Sequence, residues 1–191
     1  MQELTTLLEE ATRRIPESYF HVQIEDGDPI YRERVYCYEL YHQLRCLWPA
    51  YTDFYLNGEL DKSAHPILKK LGADYAKPDL LIHKPGYMTG NHAIIEVKTS
   101  KAQVEGIKKD LNTLALFLTK VSYQRAIYLL FGYEVEAAAK RVCRVAQTFK
   151  GLPPIELWLH SAPGRAAVLT QSTQVKDLTL QVRKNSWKLI K

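Results

Sequence analysis

The second half of the chain alternates two kinds of hydrophobic pattern, and that alternation constrains the fold more than any other feature. Ala93-Ile94-Ile95-Glu96-Val97-Lys98 reads as a strand. Residues 101–121 then carry Val104, Ile107, Leu111, Leu114, Leu118 and Val121 at helical spacing. Arg125 to Tyr133 is an almost unbroken apolar run, the pattern of a strand buried on both faces. A helix over 134–150, closed by Gly151, and a strand over 155–160 follow. Strands joined by helices of this length can run parallel, because the helix carries the chain back to the start of the sheet. The pattern predicts an α/β fold with a mixed sheet.

The first half supplies the rest. Leu4, Leu7, Leu8, Ala11 and Ile15 recur at helical spacing before Pro16, and Glu25-Asp26-Gly27-Asp28-Pro29 is a turn. A helix is expected over 32–48, ended by Pro49, with Leu40, Leu44 and Leu47 on one side and Glu39 and Gln43 on a neighbouring stripe. Residues 52–56 read as a strand, and 79–83 as another entered from Pro78. A Gly-containing loop joins the latter to the run at Ala93, so the two are expected to pair antiparallel. The expected architecture is a three-layer α/β/α sandwich with a central mixed sheet. It forms a single domain over 1–191: a core at about 32–160, an N-terminal helix at 3–15 and a basic extension at about 166–191 containing Lys176, Arg183, Lys184, Lys188 and Lys191.

Composition removes several classes. The 191 residues carry 26 Lys plus Arg against 21 Asp plus Glu, a formal charge of +5, which suits a polyanionic partner without identifying one. Three cysteines, Cys37, Cys46 and Cys143, form no CxxC pair, so neither a disulfide framework nor a zinc site is supported. Reduced thiols in a cytoplasmic protein are expected. Residues 1–14 lack the apolar stretch of a signal peptide, and the longest apolar run, 126–131, is far short of a membrane span.

The chemistry concentrates at Glu96 and Lys98. Side chains alternate along a strand, so these two point one way while Ile95 and Val97 point the other. A hairpin between the strands brings Asp79 beside Glu96 on the polar face. Two adjacent carboxylates repel, and one protonates unless a cation occupies the gap. Oxygen ligands without a His or Cys cluster favour a hard ion such as Mg²⁺, with Mn²⁺ able to substitute. A lysine beside such an ion can orient a water or neutralise charge developing on a phosphoryl group. Unassisted phosphodiester hydrolysis leaves an enzyme on the order of 20 kcal/mol of barrier to remove, which two carboxylates alone cannot do.

At these residues the chain resembles the PD-(D/E)XK nuclease superfamily, the restriction-endonuclease-like fold. Pro78-Asp79, then Glu96-Val97-Lys98 one hairpin later, match its motif, and the order helix, three-strand meander, helix, strand over about 32–133 is similar to its core. The resemblance implies that Asp79 and Glu96 bind Mg²⁺, that the Val97 carbonyl joins them, and that Lys98 positions the attacking water. It also implies a further acid on the helix before the meander, for which Glu39 is the candidate, acting through a bound water. The helix over 101–121 lacks the Gln-x-x-x-Tyr pattern of the exonuclease branch, and no four-cysteine cluster is present, which leaves the simpler endonucleases.

Around this centre, His83, Gln43 and Glu59 are candidates to support the ligands. Asp61 is a further acid, weighed against a solvated edge. Lys101, Lys108 and Lys109 are candidates to follow a nucleic-acid backbone, weighed against a solvated helix face. Tyr36, Tyr38 and Tyr41 are candidates for stacking on bases or for the core. The expected function is a metal-dependent endonuclease acting on DNA in preference to RNA, as a homodimer where two strands are cut. The alternative is a non-catalytic module, on the same scaffold, that binds nucleic acid or protein.

Overall fold

The computed structural model describes residues 3–59, 66–73 and 75–172. Its elements run α1 (Leu4–Arg13), α2 (Glu17–Phe20), β1 (Val22–Ile24), β2 (Gly27–Ile30), α3 (Glu33–Leu47), β3 (Tyr55–Gly58), α4 (Pro66–Lys70), β4 (Leu80–His83), β5 (Asn91–Thr99), α5 (Val104–Thr119), β6 (Arg125–Phe131), α6 (Val135–Ala146), β7 (Glu156–His160) and β8 (Val168–Ser172). The helices and strands expected from periodicity are present, with ends moved by a few residues. The α2 turn, the β1–β2 hairpin around Asp26 and the short α4 were not foreseen; each is too short to carry a periodic pattern. Asp61 and the C-terminal basic residues 176–191 lie outside the described residues.

Six strands form one mixed sheet in the order β3-β4-β5-β6-β7-β8. The β3, β4 and β5 strands form an antiparallel meander, β5, β6 and β7 are parallel, and β8 closes the far edge antiparallel. Both crossover helices, α5 and α6, step the same way along the sheet. A consistent crossover hand therefore puts both on one face.

Strand alternation then sorts the core into two layers. Leu81, Ile94, Tyr128, Leu130, Leu157 and Leu159 point toward α5 and α6. Leu80, Ile82, Ile95, Val97, Leu129 and Trp158 point toward α1 and α3. Every residue of β6 from Ala126 to Phe131 is buried because it is covered on both sides. On α5 the buried apolar face is Ile107, Leu111, Leu114 and Phe117; Val104, in the first turn, is exposed and Leu118, in the last turn, is only half-buried.

The register makes a notch in the sheet. The β4 ladder begins with Leu80 opposite Ile95, whereas β5 continues to Thr99 against β6 alone. Residues 96–99 therefore have a strand on one side and an opening on the other. The opening begins at Pro78 because proline has no N–H to extend the ladder. The Asp79 carbonyl accepts from the Glu59 N–H on the β3 side, so alternation turns the backbone of Pro78 and Leu80 toward β5.

Candidate active site

Asp79 and Glu96 meet at this notch. The Asp79 Oδ2 accepts the Val97 backbone N–H at 2.8 Å, which fills the place that a further ladder bond would have taken. Backbone N–H and C=O groups of one strand residue point to the same side, so the Val97 carbonyl also faces the opening. The two carboxyls are close enough to interact, Glu96 buried and Asp79 half-buried. Burial, followed by the Asp79 charge, pushes Glu96 well above the usual carboxylate range. Burial raises Asp79 too, opposed by the Val97 N–H and Lys98. Of the two, Glu96 is pushed further toward its neutral form.

Lys98, two residues on and on the same face, is clamped. Its Nζ donates to Glu33 Oε1 and lies 3.5 Å from Asp110 Oδ2. Burial on its own would lower the lysine, but Asp110 and Glu33 outweigh it and hold the ammonium above its ordinary pKa. Asp110 is pushed up to about 6 by burial, which Lys98 only partly offsets, and accepts from the Tyr128 hydroxyl at 3.5 Å.

These groups floor a cleft of about 840 Å³. Arg34, Lys77, Lys109 and Lys150 also line it, so basic side chains surround an acidic centre. Glu59 is at the same cleft, its carboxylate 3.4 Å from Arg34 Nε.

Apart from Lys109, the other candidate residues lie elsewhere. Glu39 is buried on α3 and accepts from Gln43 Nε2 at 2.6 Å; neither lines the cleft. Glu33 takes the place at the cleft that the sequence reading gave to Glu39. Six residues along a helix are about 9 Å and some 240° of rotation, so the two acids cannot face one site. Cys37, one turn after Glu33, is buried in the core, and burial and then the Asp79 charge push its thiol up. His83 shares the Asp79 face by alternation but lies four residues away, about 13 Å. There its Nε2 is 2.8 Å from Asn57 Oδ1.

Lys109 reaches the cleft. Lys108 points into a separate groove with Arg141 and Arg144, and Lys101 stands over the Tyr31 ring. Tyr36 is core, stacked on Phe131 and bonded to His160 Nδ1 at 2.7 Å. Tyr38 is exposed, and Tyr41 packs near Gly58.

Glu33 and Asp110 were not among the sequence candidates. Asp110 was legible in principle, as an acid between Ile107 and Leu111 on the buried stripe of α5. Glu33 was not, because an acid in a first helical turn is ordinary helix chemistry.

No group of three or more His, Cys, Asp or Glu side chains among the described residues is arranged to hold a metal ion. The pair Asp79 and Glu96, with the Val97 carbonyl, still fits the sparse demand of Mg²⁺, which takes one or two carboxylates and keeps waters. A cation between the two carboxyls would offset the burial and repulsion that raise both pKa values. No helix among the described residues is long and apolar enough to cross a membrane. Compared with known proteins, the chain matches no family model, no curated protein and no solved structure.

Proposed function

We propose that this chain is a divalent-cation-dependent endonuclease that hydrolyses phosphodiester bonds in DNA, built on a restriction-endonuclease-like core of α3, β3–β5, α5 and β6. The observation that carries this reading is the carboxyl pair Asp79 and Glu96 in a sheet notch, where Asp79 accepts the Val97 N–H, with the Lys98 ammonium on the same face as Glu96. Basic side chains around the cleft support a polyanionic substrate.

Asp79, Glu96 and the Val97 carbonyl would hold Mg²⁺ or Mn²⁺. The cation, when bound, supplies a water of lowered pKa and stabilises the charge that develops on the phosphoryl oxygens. The chain's own residues do the positioning. Lys98, kept charged by Asp110 and Glu33, presents its ammonium to the attacking water and the phosphate. Arg34, Lys109 and Lys150 hold the backbone on either side.

The test is cleavage of plasmid, branched and single-stranded DNA with Mg²⁺ or Mn²⁺. Asp79→Ala and Lys98→Ala should each lose at least about a hundredfold in rate. Unchanged cleavage in both variants overturns the proposal. The second reading, a non-catalytic binding module, draws on the absence of a three-ligand cluster among the described residues. Calorimetry showing no Mn²⁺ binding that depends on Glu96 would favour it.

A further inference from the structure

Beside the cleft, the same end of the sheet carries a smaller pocket of about 310 Å³ lined by His21, Pro29, Tyr31, Lys101, Tyr133 and Glu134. Its walls are aromatic and tied to one another by hydrogen bonds. The Tyr133 ring is half exposed, yet its hydroxyl lies 3.0 Å from His21 Nε2, and its backbone N–H donates to the Tyr31 hydroxyl at 3.0 Å. Tyr31 and Tyr133 stand edge to face, with centroids 6.4 Å apart, and His21 is 5.6 Å from Tyr133. Behind them the buried Phe20 packs on Tyr31, Tyr133 and Phe131. These rings are ordered before any ligand arrives, so little conformational entropy remains to be lost on binding.

The volume is at the lower end of the roughly 300–1,000 Å³ of ordinary ligand pockets, which suits one planar ring. Lys101 Nζ stands 5.6 Å from the centre of the Tyr31 ring. A cation thus already occupies that face, which disfavours a cationic guest and attracts a phosphate. Glu134 at the wall, and Glu17 at 3.7 Å from His21, offer acceptors to exocyclic amino groups and oppose a bare anion. A flat ring with hydrogen-bond donors joined to a phosphate is a nucleotide.

The pocket's place fits the same guest. Tyr31 precedes Glu33 by two residues and Lys101 follows Lys98 by three, and Glu33 and Lys98 are hydrogen-bonded. Each residue spans at most ~3.6 Å, so the Lys101 Cα lies within about 11 Å of the Lys98 Cα, and the Tyr31 Cα within about 7 Å of the Glu33 Cα. Nucleotides stacked along one strand are about 3.4 Å apart, so a base a few steps from the phosphate at the cleft can reach these rings.

We infer that the His21–Tyr31–Tyr133 pocket, with Lys101 at its mouth, binds one unpaired base of the DNA strand engaged at the Asp79–Glu96–Lys98 cleft. The inference rests on the nuclease reading for its substrate class and selects single-stranded or locally opened DNA over blunt duplex.

The probe is a short single-stranded oligodeoxynucleotide carrying one 2-aminopurine, titrated in EDTA so that no cleavage intervenes. Wild type should quench the aminopurine, and the same probe in a blunt duplex should bind at least tenfold more weakly. Loss of one base–aromatic stack predicts about tenfold weaker single-strand binding for Tyr133→Ala, and only a small loss for Tyr133→Phe, which keeps the ring. Lys101→Ala, an exposed change that leaves the core intact, should weaken binding and lower the salt slope by about one. Wild-type affinity in both Tyr133→Ala and Lys101→Ala, or equal quenching in duplex and single strand, overturns the inference. The two readings fail separately. Quenching that depends on Tyr133, without cleavage in Mg²⁺, upholds the pocket and removes the nuclease. Cleavage that depends on Asp79, without Tyr133-dependent binding, does the reverse.

Discussion

Replacing Glu96 with glutamine keeps the side chain's shape and its ability to donate to Asp79, but removes the proton that must otherwise be retained. Burial and the Asp79 charge raise the Glu96 pKa in the folded protein, whereas in the unfolded chain it sits near 4.3. The sign follows directly. Above the unfolded pKa the denatured chain releases this proton and the folded one keeps it, so wild-type stability falls as pH rises from about 4.3 toward the raised folded value. Each pH unit between about 4.3 and the raised folded value costs wild type about 1.4 kcal/mol. The scale of the penalty for two adjacent carboxylates is set by Coulomb repulsion: two unit charges ~4 Å apart at an effective dielectric of ~20 repel by about 4 kcal/mol. Relaxation should leave about half of this. Glu96→Gln in EDTA should then melt roughly 4–8 °C above wild type at pH 7, since about 1 kcal/mol moves a chain of this size by ~2–4 °C. At pH 5 the gap should shrink to about 2 °C. Mn²⁺ at a hundred times its Kd should stabilise wild type by about 2.7 kcal/mol and leave the variant unmoved. Melting curves from pH 5 to 8, with and without Mn²⁺, read both effects. A difference that does not vary with pH, or a variant that melts lower and still responds equally to Mn²⁺, would refute the reasoning.

Glu33→Gln should slow DNA cleavage at least tenfold, because it removes a carboxylate bonded to Lys98, whereas Glu39→Gln, away from the cleft, should cleave at nearly the wild-type rate; parallel rate assays decide between the two acids. Arg125→Ala breaks a bidentate pair with Glu156 at 2.7 and 2.8 Å and should cost about 2–3 kcal/mol in urea unfolding without changing cleavage. Burial alone would raise Glu156, but Arg125 and Trp158 outweigh it and lower its pKa, so this stability is present above about 4.3 and is lost as pH falls through the lower folded value. Gly132→Ala should cost about 2–3 kcal/mol, because Gly132 has φ 129° and an added Cβ would run into Ser100 Oγ and the Tyr31 ring. Calorimetric melting checks the cost, and the displaced Tyr31 should also weaken aminopurine binding.

Local patterns carried much of this protein in one dimension. The burial of 126–131 on both faces, the α5 and α6 periodicities and the polar face of β5 are each set by residues within a few positions of one another. Their physics, strand alternation and helical repeat, is therefore readable in the sequence. The pairing of Asp79 with Glu96 was legible for the same reason, since a hairpin leaves little choice of partner once both strands have an apolar face.

What the sequence by itself determined is the α/β order of elements and the presence of an acid pair and a lysine on one strand face. Only the tertiary structure decided which helical acid meets Lys98. The rotation of α3 about its axis depends on how Leu40, Leu44 and Tyr36 seat against the sheet, a contact between residues far apart in the chain. That rotation brings Glu33 to the cleft and leaves Glu39 with Gln43. The same packing drew His21, Tyr31 and Tyr133 together from three separate segments. No spacing in the sequence encodes that pocket, because its members are joined by the fold and not by a period.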